Sequence, residues 1–588
     1  MLRRSECPRP ILTFSREVAP HGHLCLLMDR RKFLGVLGTT AAVRFADAAE
    51  ITSPFRDDIY PELVKSADRW VENELPKQQA NGGWLDPHGI LTVGGSASAF
   101  STMTAAYLAL ESCHYHSAEL LERMERVSDY LLRVQHPDGT IDLYITNFAS
   151  PPDTGFVVQM LAPAAEVLRA RKDPNTRRVQ EKLETFVRRA AEGLITGGIH
   201  TPNHRWVVAA ALSRCHHLFP DPRYLARIDQ WLAEGIDLDS EGQFTEHSTG
   251  GYNEVSDHAL ITVGRMLNRP DLFDPARKNL ETMLYFLHPN DEIATDISHR
   301  QDRFQPIAIL SYYRCYRFMA YHDRNGRFAS VANYIERNHL PVMGGYLIDF
   351  MQTPALRQNL PPREPIPIDY EKYYPLSSFV HIRRGERSAS ILGDDDRFFS
   401  FRNGGAVVEA VRMASAYFGK GQFSGPLRQE GNAYRMEQQL EGFYYQPLPP
   451  EDRRPDGNWL LMPQSLRAHS NFSHLQSSVE IRETPDGCEL SFDISGTDEV
   501  PMAVEITLRP GGKLTGDALT PVTDVPNAYI LGEGFATYEL AGSRVRIGPG
   551  FRRHIWTQMH HAQPRLEGLS VYMTGFTPLK QTIRLAAA

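Results

Sequence analysis

A short turn followed by an apolar residue recurs through the first half of this chain, and its spacing limits the fold more than any other feature. The turns are Gly82-Gly83-Trp84, Asp138-Gly139-Thr140-Ile141, Gly197-Gly198-Ile199, Glu241-Gly242-Gln243-Phe244 and Asn290-Asp291-Glu292-Ile293. Each ends on an apolar residue, and successive apolar positions are 57, 58, 45 and 49 residues apart. Helical patterns fill the intervals: Leu120, Met124, Val127 and Leu131 step along one helix face while Glu122, Arg123, Glu125 and Arg126 take the others. Phe156, Met160, Leu161, Ala164 and Leu168 repeat the theme. An interval of roughly fifty residues holds two helices of about 15–20 residues with their connections. Hairpins of constant period stack as a solenoid or close into a ring, and five turns favour an (α/α) toroid spanning residues 50–350. Two of the turns share a leading glutamine, Gln78-x-x-x-Gly82-x-Trp84 and Gln135-x-x-x-Gly139-x-Ile141.

The helical period stops at a proline-dense stretch, 351–375, containing Pro354, Pro361, Pro362, Pro365, Pro367 and Pro375. Proline at that density ends helices and stiffens a connection, so this is read as the linker between domains. Beyond it the period becomes two: Val504, Ile506 and Leu508 alternate with Glu505, Thr507 and Arg509. Pro485-Asp486-Gly487 marks a hairpin. Residues 376–588 are therefore expected to form an antiparallel β-sandwich covering one mouth of the toroid, giving an α+β multidomain chain. The composition is ordinary for a globular protein, with 42% apolar and 23% charged residues. A net charge of −8 argues against a general nucleic-acid binder. No apolar run reaches the roughly 18 residues of a membrane span. Of six cysteines none lies in a C-x-x-C pair, which disfavours a thiolate zinc site; Cys113, Cys215, Cys315 and Cys488 read as buried free thiols.

Near the start, Arg30-Arg31 precede Phe33-Leu34, a mild apolar run and Ala46-Asp47-Ala48. The order resembles a twin-arginine export signal over residues 28–49. It implies a start at Met28, an upstream extension at 1–27, a mature chain from about Ala49, and a periplasmic or secreted location.

If the turns share one end of the toroid, the segments after them line one mouth. Those segments are polar: Asp86 and His88; Asp142, Tyr144, Asn147 and Asp153; Asn203-His204-Arg205; Glu246-His247 through Gly250-Gly251-Tyr252-Asn253-Glu254; and His299-Arg300 with Arg303. Titratable groups converging from separate repeats make a pocket. His204, Tyr252, Asn203, His299 and Arg300 are the candidate catalytic residues. Trp84, Asn147, Asp153, Arg205, Glu254 and Arg303 are candidates for substrate binding. His88 and His247 read as structural or exposed, and Arg383, Arg384 and Arg402 as solvated strand residues. No H-x-x-x-H or H-E-x-x-H pattern marks a metal site and no cofactor is called for; a structural metal leaves no readable pattern here.

Asn203-His204 at a helix start, a tyrosine about fifty residues on, a later His-Arg and a β-rich second half resemble the toroid-plus-sandwich polysaccharide lyases. The heparinase II/III-like and alginate-lyase groups are of this kind. The resemblance covers most of the mature chain as architecture, on short motifs. The segments Asp138–Leu143 and Ser150–Phe156 also look like the L-rhamnose-α-1,4-D-glucuronate lyases. The glutamine turns look like the repeat signature of toroidal terpene cyclases, which we read as common helix-end geometry. The lyase resemblance implies β-elimination on a uronate-containing polysaccharide or oligosaccharide, leaving a 4,5-unsaturated uronate. The residue types suit that chemistry. Asn203 and Arg300, supported by His299, would neutralise the uronate carboxylate. Tyr252 would serve as base and then acid, with His204 orienting or acting as base on the opposite epimer. Gly250-Gly251 would let backbone approach the sugar, and Trp84 would offer it an apolar platform. Two other functions fit a toroid: a glycoside hydrolase using two of Asp86, Asp142, Asp153 and Glu254, and a secreted glycan-binding protein without turnover.

Overall fold

The computed structural model describes residues 58–588. The expectations for residues 1–27 and 28–49, with Cys7 and Cys25, lie outside the described residues.

Twelve α-helices precede the sheets among the described residues. Five inner helices pack side by side in sequence order: α2 (Val93–Leu108), α4 (Pro151–Arg171), α6 (His204–Leu218), α8 (Tyr252–Met266) and α10 (Tyr313–Asp323). An outer helix backs each of them or precedes the first: α1 (Tyr60–Glu74), α3 (Ala118–Val134), α5 (Arg177–Thr196), α7 (Pro222–Leu232), α9 (Phe273–Met283) and α11 (Gly326–His339). The short α12 (Leu347–Gln352) packs against α1, α2 and α4 and closes the ring. Composition explains the two layers. The α2 sequence VGGSASAFSTMTAAYL is small and uncharged, as a helix packed on every side requires. By contrast α3 keeps Leu120, Met124, Val127 and Leu131 inside and its charges out. No helix among the described residues is long and apolar enough to cross a membrane.

The recurring turn has a common hydrogen-bond pattern. The amides of Gln79, His136, Asp239 and His288 donate to the carbonyls of Gly83, Thr140, Gln243 and Glu292, at 2.8–2.9 Å. Gly82 and Gly139 sit at φ +93° and +90°, and a Cβ on them would lie 2.2 and 1.8 Å from the carbonyl oxygens of Arg126 and Arg189. Only glycine fits there. The glutamines explain themselves. Gln78 Nε2 donates to the Gly82 carbonyl and to Arg123 O on α3, both at 3.1 Å. Gln135 Nε2 does the same to Gly139 O and to Phe186 O on α5, at 2.9 and 3.0 Å. Each glutamine thus ties its turn to the next outer helix. At the fourth turn α9 supplies the donor, Asn279 Nδ2 to Gly242 O at 2.7 Å. The third turn departs from the pattern. Gly197 has an ordinary φ of −70°, and a long side chain, Arg227 Nη2, holds its carbonyl at 2.7 Å.

Within the stretch 351–375 the chain ends α12, makes a 3-10 turn at Pro354–Arg357 and already enters a strand at Asp369–Tyr374. A nine-stranded and an eight-stranded sheet follow and face each other across a second core that includes Val411, Phe399, Leu490 and Ile583. Pairing is antiparallel, as expected, except that Ala528–Leu531 runs parallel to Leu569–Phe576. The nine-stranded sheet packs on the 285–309 segment of the toroid through buried polar groups. Arg509 binds Glu292 with two guanidinium nitrogens, and Arg402 Nη2 lies 3.6 Å from the same carboxylate. His288 Nδ1 meets Ser388 Oγ at 2.9 Å and His381 Nε2 at 3.2 Å. Arg383 Nη1 donates to Leu287 O at 3.0 Å. Arg383 and Arg402 are therefore buried junction residues, not solvated ones. Strand alternation reports two faces but not that a second domain covers one of them. Arg384 stays part-exposed, paired with Asp369 and Glu483. Of the thiols, Cys215, Cys315 and Cys488 are buried, whereas Cys113 is exposed.

Candidate active site

The segments after the turns lead into the N-termini of α2, α4, α6 and α8, so the positive ends of four helix dipoles face one mouth of the ring. The first two starts are capped normally. Thr92 Oγ1 accepts from the Gly95 amide and Ser150 Oγ from the Asp153 amide. The third is not. Asn203 occupies the cap position of α6, yet its side chain makes no cap hydrogen bond. Its Nδ2 instead donates to Glu246 Oε2 at 2.5 Å and to Thr201 Oγ1 at 3.3 Å, and its buried Oδ1 has no hydrogen-bond partner. A favoured capping residue is diverted from its helix to hold a carboxylate.

Glu246 is the hub of the site; the sequence places it in a segment lining the mouth but gives it no role. It is buried, and burial pushes its carboxyl up from the ordinary value against the opposing pull of Asn203 and Arg300. Arg300 Nε lies 3.3 Å from Glu246 Oε1, without hydrogen-bond geometry, and its guanidinium carbon sits 5.0 Å from the centroid of the Tyr252 ring. One chain of contacts therefore joins Asn203, Glu246, Arg300 and Tyr252 across three repeats. The Tyr252 amide donates to Ser248 Oγ at 3.0 Å. Asp302, also overlooked, fixes this loop: its carboxylate accepts from Ser248 Oγ, Ser298 Oγ and the Gly250 amide at 2.8, 2.5 and 2.9 Å. That clamp sets Arg300 over the tyrosine.

His204 begins α6 in edge contact with His200 and Phe156, its ring centroid 4.8 and 6.2 Å from theirs. Burial first, then the His200 and Arg300 charges, pull its pKa down to about 3, and its Nδ1 has no partner. That shift favours the neutral imidazole, the form able to orient a substrate or accept a proton. His299 is exposed; its ring stacks on His247 at 4.8 Å and its amide donates to Glu246 O at 3.0 Å. His247, expected to be structural or exposed, is mostly enclosed beside Glu246, and burial lowers its pKa.

Several expected site residues are elsewhere. Trp84 is buried, with Nε1 donating to Glu74 O at 3.2 Å, and offers no platform. Arg205 is mostly enclosed and taken up within its own repeat, lying over buried Trp206 with Nη2 2.9 Å from Asp237. Glu254 is buried on the α10 side of α8, where its charge acts on Arg314 and Cys315. Gly250 and Gly251 are buried, and a Cβ on Gly250 would meet Ile307, Thr295 and Asp302, so they serve loop packing. Arg303 is committed to the sandwich, with Nη2 2.6 Å from Asp395. Asn147 and Asp153 do meet at the start of α4, Nδ2 to Oδ2 at 2.8 Å, with Ser150 Oγ on the same oxygen.

One metal-ligand trio occurs among the described residues: Asp68, Cys113 and His114, with donor atoms within 4.8 Å of one another. It lies at the far end of α2, one helix length from the mouth, and Asp68 already accepts from Ser112 Oγ and the Cys113 amide.

No protein-family model and no curated protein sequence matches this chain. Solved structures do. Heparinase III superposes over 95% of this chain and 89% of its own at a TM-score of 0.51 and 11% identity. The Streptomyces coelicolor A3 chondroitin AC lyase in complex with chondroitin sulphate covers 95% and 82%, at 0.51 and 15%. A Paenibacillus xanthan lyase covers 90% and 57%, at 0.52 and 10%. The fold is that of toroid-plus-sandwich polysaccharide lyases. At these identities the likeness is one of fold, and the chemistry has to be argued from the mouth itself.

Proposed function

We propose that the protein is a polysaccharide lyase that cleaves next to a 4-linked uronate by β-elimination. The observation that carries this reading is the contact chain Asn203–Glu246–Arg300–Tyr252 at the mouth. The resemblance of the fold to lyases supports it.

Elimination requires the C5 proton to leave while negative charge collects on the adjoining carboxylate. Arg300 and the helix N-termini supply positive potential for that charge. Asn203, held by Glu246 through its Nδ2, borders the same charge with its Oδ1 left open. In the proposed step Tyr252, with the Arg300 cation over its ring, reacts as its phenolate and takes the C5 proton. The C5 electron pair forms the C4–C5 double bond, and the phenol returns the proton to the departing O4. In glucuronate the C5 hydrogen and O4 share a ring face, so one residue serves both steps. Neutral His204 hydrogen-bonds the sugar without competing for the carboxylate. The hydrolase reading is weaker because its carboxylates have other work. Asp86 accepts the His88 and Ile90 amides, Asp142 holds His136 and the Ala149 amide, and Glu254 is buried. A uronate glycan as substrate and an exported location belong to the same proposal.

The test is a panel of uronate polysaccharides followed by ultraviolet absorbance of the conjugated product. The expected outcome is growth of that absorbance on at least one glycan. Tyr252→Phe is expected to reduce it by about a thousandfold or more with the melting temperature unchanged. Reducing ends appearing without the chromophore would point to hydrolysis and end the proposal.

A further inference from the structure

The longest hairpin of the sandwich outruns its sheet. Strands Ala433–Tyr445 and His469–Thr484 pair with each other from Ala433↔Arg482 out to Tyr445↔His469. On one side Leu427–Glu430 pairs only as far as Met436, and on the other Gly487–Gly496 pairs only as far as Leu475. From Glu441 to His474 the chain is thus a two-stranded ribbon and its tip, with no strand on either edge. Among these residues only Gly442 and Leu448 are buried.

An isolated ribbon in water should be polar, because a two-stranded hairpin has no core of its own. This one is apolar on both faces. Tyr444 meets Phe418 at 5.4 Å on one side, while Phe443 and Phe472 meet at 6.0 Å on the other. Phe418, Tyr444, Trp459, Leu460, Leu461 and Phe472 are 42, 61, 52, 89, 60 and 55% exposed. At roughly 150–250 Å² for each aromatic ring they present on the order of 700 Å² of apolar surface. An ordinary monomer tolerates a largest patch of roughly 300–600 Å². Each partner of a standard interface buries about 800 Å².

We infer that this arm is a homodimer contact, with the occupant a second copy of the same chain. Three observations select that occupant. The area matches one side of a standard interface. Exposed Leu460 and Leu461 lack the flat ring that stacks on a sugar, so the tip suits a protein surface better than a glycan. The tip also carries Glu451-Asp452 next to Arg453-Arg454, with Arg454 paired to Asp456 at the exposed surface, and a copy turned by a twofold axis between the two pairs would set each sign against its opposite. Both faces of a protruding ribbon are covered when two arms embrace across that axis. The inference is independent of the proposed chemistry.

Sedimentation velocity of the full chain over about 0.1–50 µM tests it, the expected result being a dimer that dissociates at or below the low-micromolar range. The double variant Leu460→Asp/Leu461→Asp is expected to weaken association at least a hundredfold, and Phe472→Ser, on the ribbon itself, at least tenfold. Both should keep the wild-type circular dichroism spectrum and melting temperature. A wild-type chain that stays monomeric at the highest concentration overturns the inference, including one whose arm instead retains a glycan or a lipid vesicle. So does a dimer that survives both changes undiminished.

Discussion

Two buried glutamates, each beside an arginine, have opposite fates in this molecule. Glu292, at the junction of the domains, receives two nitrogens of Arg509 and the nearby charge of Arg402, and those cations hold its pKa below the ordinary value despite burial. Glu246, at the mouth, has Arg300 at 3.3 Å without a hydrogen bond, and burial wins, so its pKa rises. The first is a sealed ion pair whose groups are used up in holding two domains together. The second is left incomplete, with Asn203 Oδ1, Glu246 Oε1 and Arg300 Nε all unmatched. Polar atoms left open at that density in a folded protein are positioned for something other than the protein itself.

The sharpest way to break the contrast is to make the same substitution at both sites. Glu292→Gln takes the neighbouring carboxylate from buried Arg402 and leaves Arg509 with Glu409 alone, and should cost about 3 kcal/mol of stability, read by chemical denaturation, with turnover per folded molecule retained. Glu246→Gln removes the carboxylate charge facing Arg300 while keeping an oxygen for Asn203 Nδ2. It should leave the denaturation midpoint in place and lower turnover about tenfold or more. Equal effects of the two changes on stability would erase the distinction.

The junction is expected to be acid-sensitive. Burial, with the nearby charges of Arg383 and Arg402, pulls His381 down to about 3, and His288 is pulled well below its ordinary value. A depressed folded-state pKa gives stability that is full above the unfolded value near 6.5 and lost as pH falls. By pH 5 His381 alone should forfeit about 2 kcal/mol. Melting scans of wild type and His381→Gln, from pH 7 to 5, should show the variant less stable at pH 7 but with a flatter slope.

The smallest effect separates the regular turns from the third. Gln135→Ala removes two buried hydrogen bonds and leaves the Gly139 and Phe186 carbonyls unmet, for about 1–3 kcal/mol. Arg227→Ala, which removes the tie to Gly197, should cost under about 1 kcal/mol, because a part-exposed donor is replaced by water.

The toroid was readable because its repeat is written in residues with few substitutes: glycine where a side chain would strike a carbonyl, and glutamine where a donor must span two hairpins. The sandwich was readable from its period, and Asn203, Tyr252 and Arg300 from their places after turns. What escaped depends on which neighbour arrives from far along the chain. Nothing near Glu246 announces that Asn203 will bind it, and nothing in the strands of Arg383 and Arg402 announces the segment 285–309. Trp84 and Arg205 misled because a turn fixes where a residue stands and not which way its side chain leaves.

The reach of those glutamines bears on how such a ring can change over generations. Each grips the hairpin after its own, so deleting or lengthening a regular connection would unmake a bond in the neighbouring unit as well. The turn before Asn203 has no such glutamine; its Gly197 carbonyl is held by the long side chain of Arg227, which stands outside that mutual dependence. Insertions and deletions there are expected to disturb the ring least, at a position bordering the mouth, where a different length would shape a different entrance.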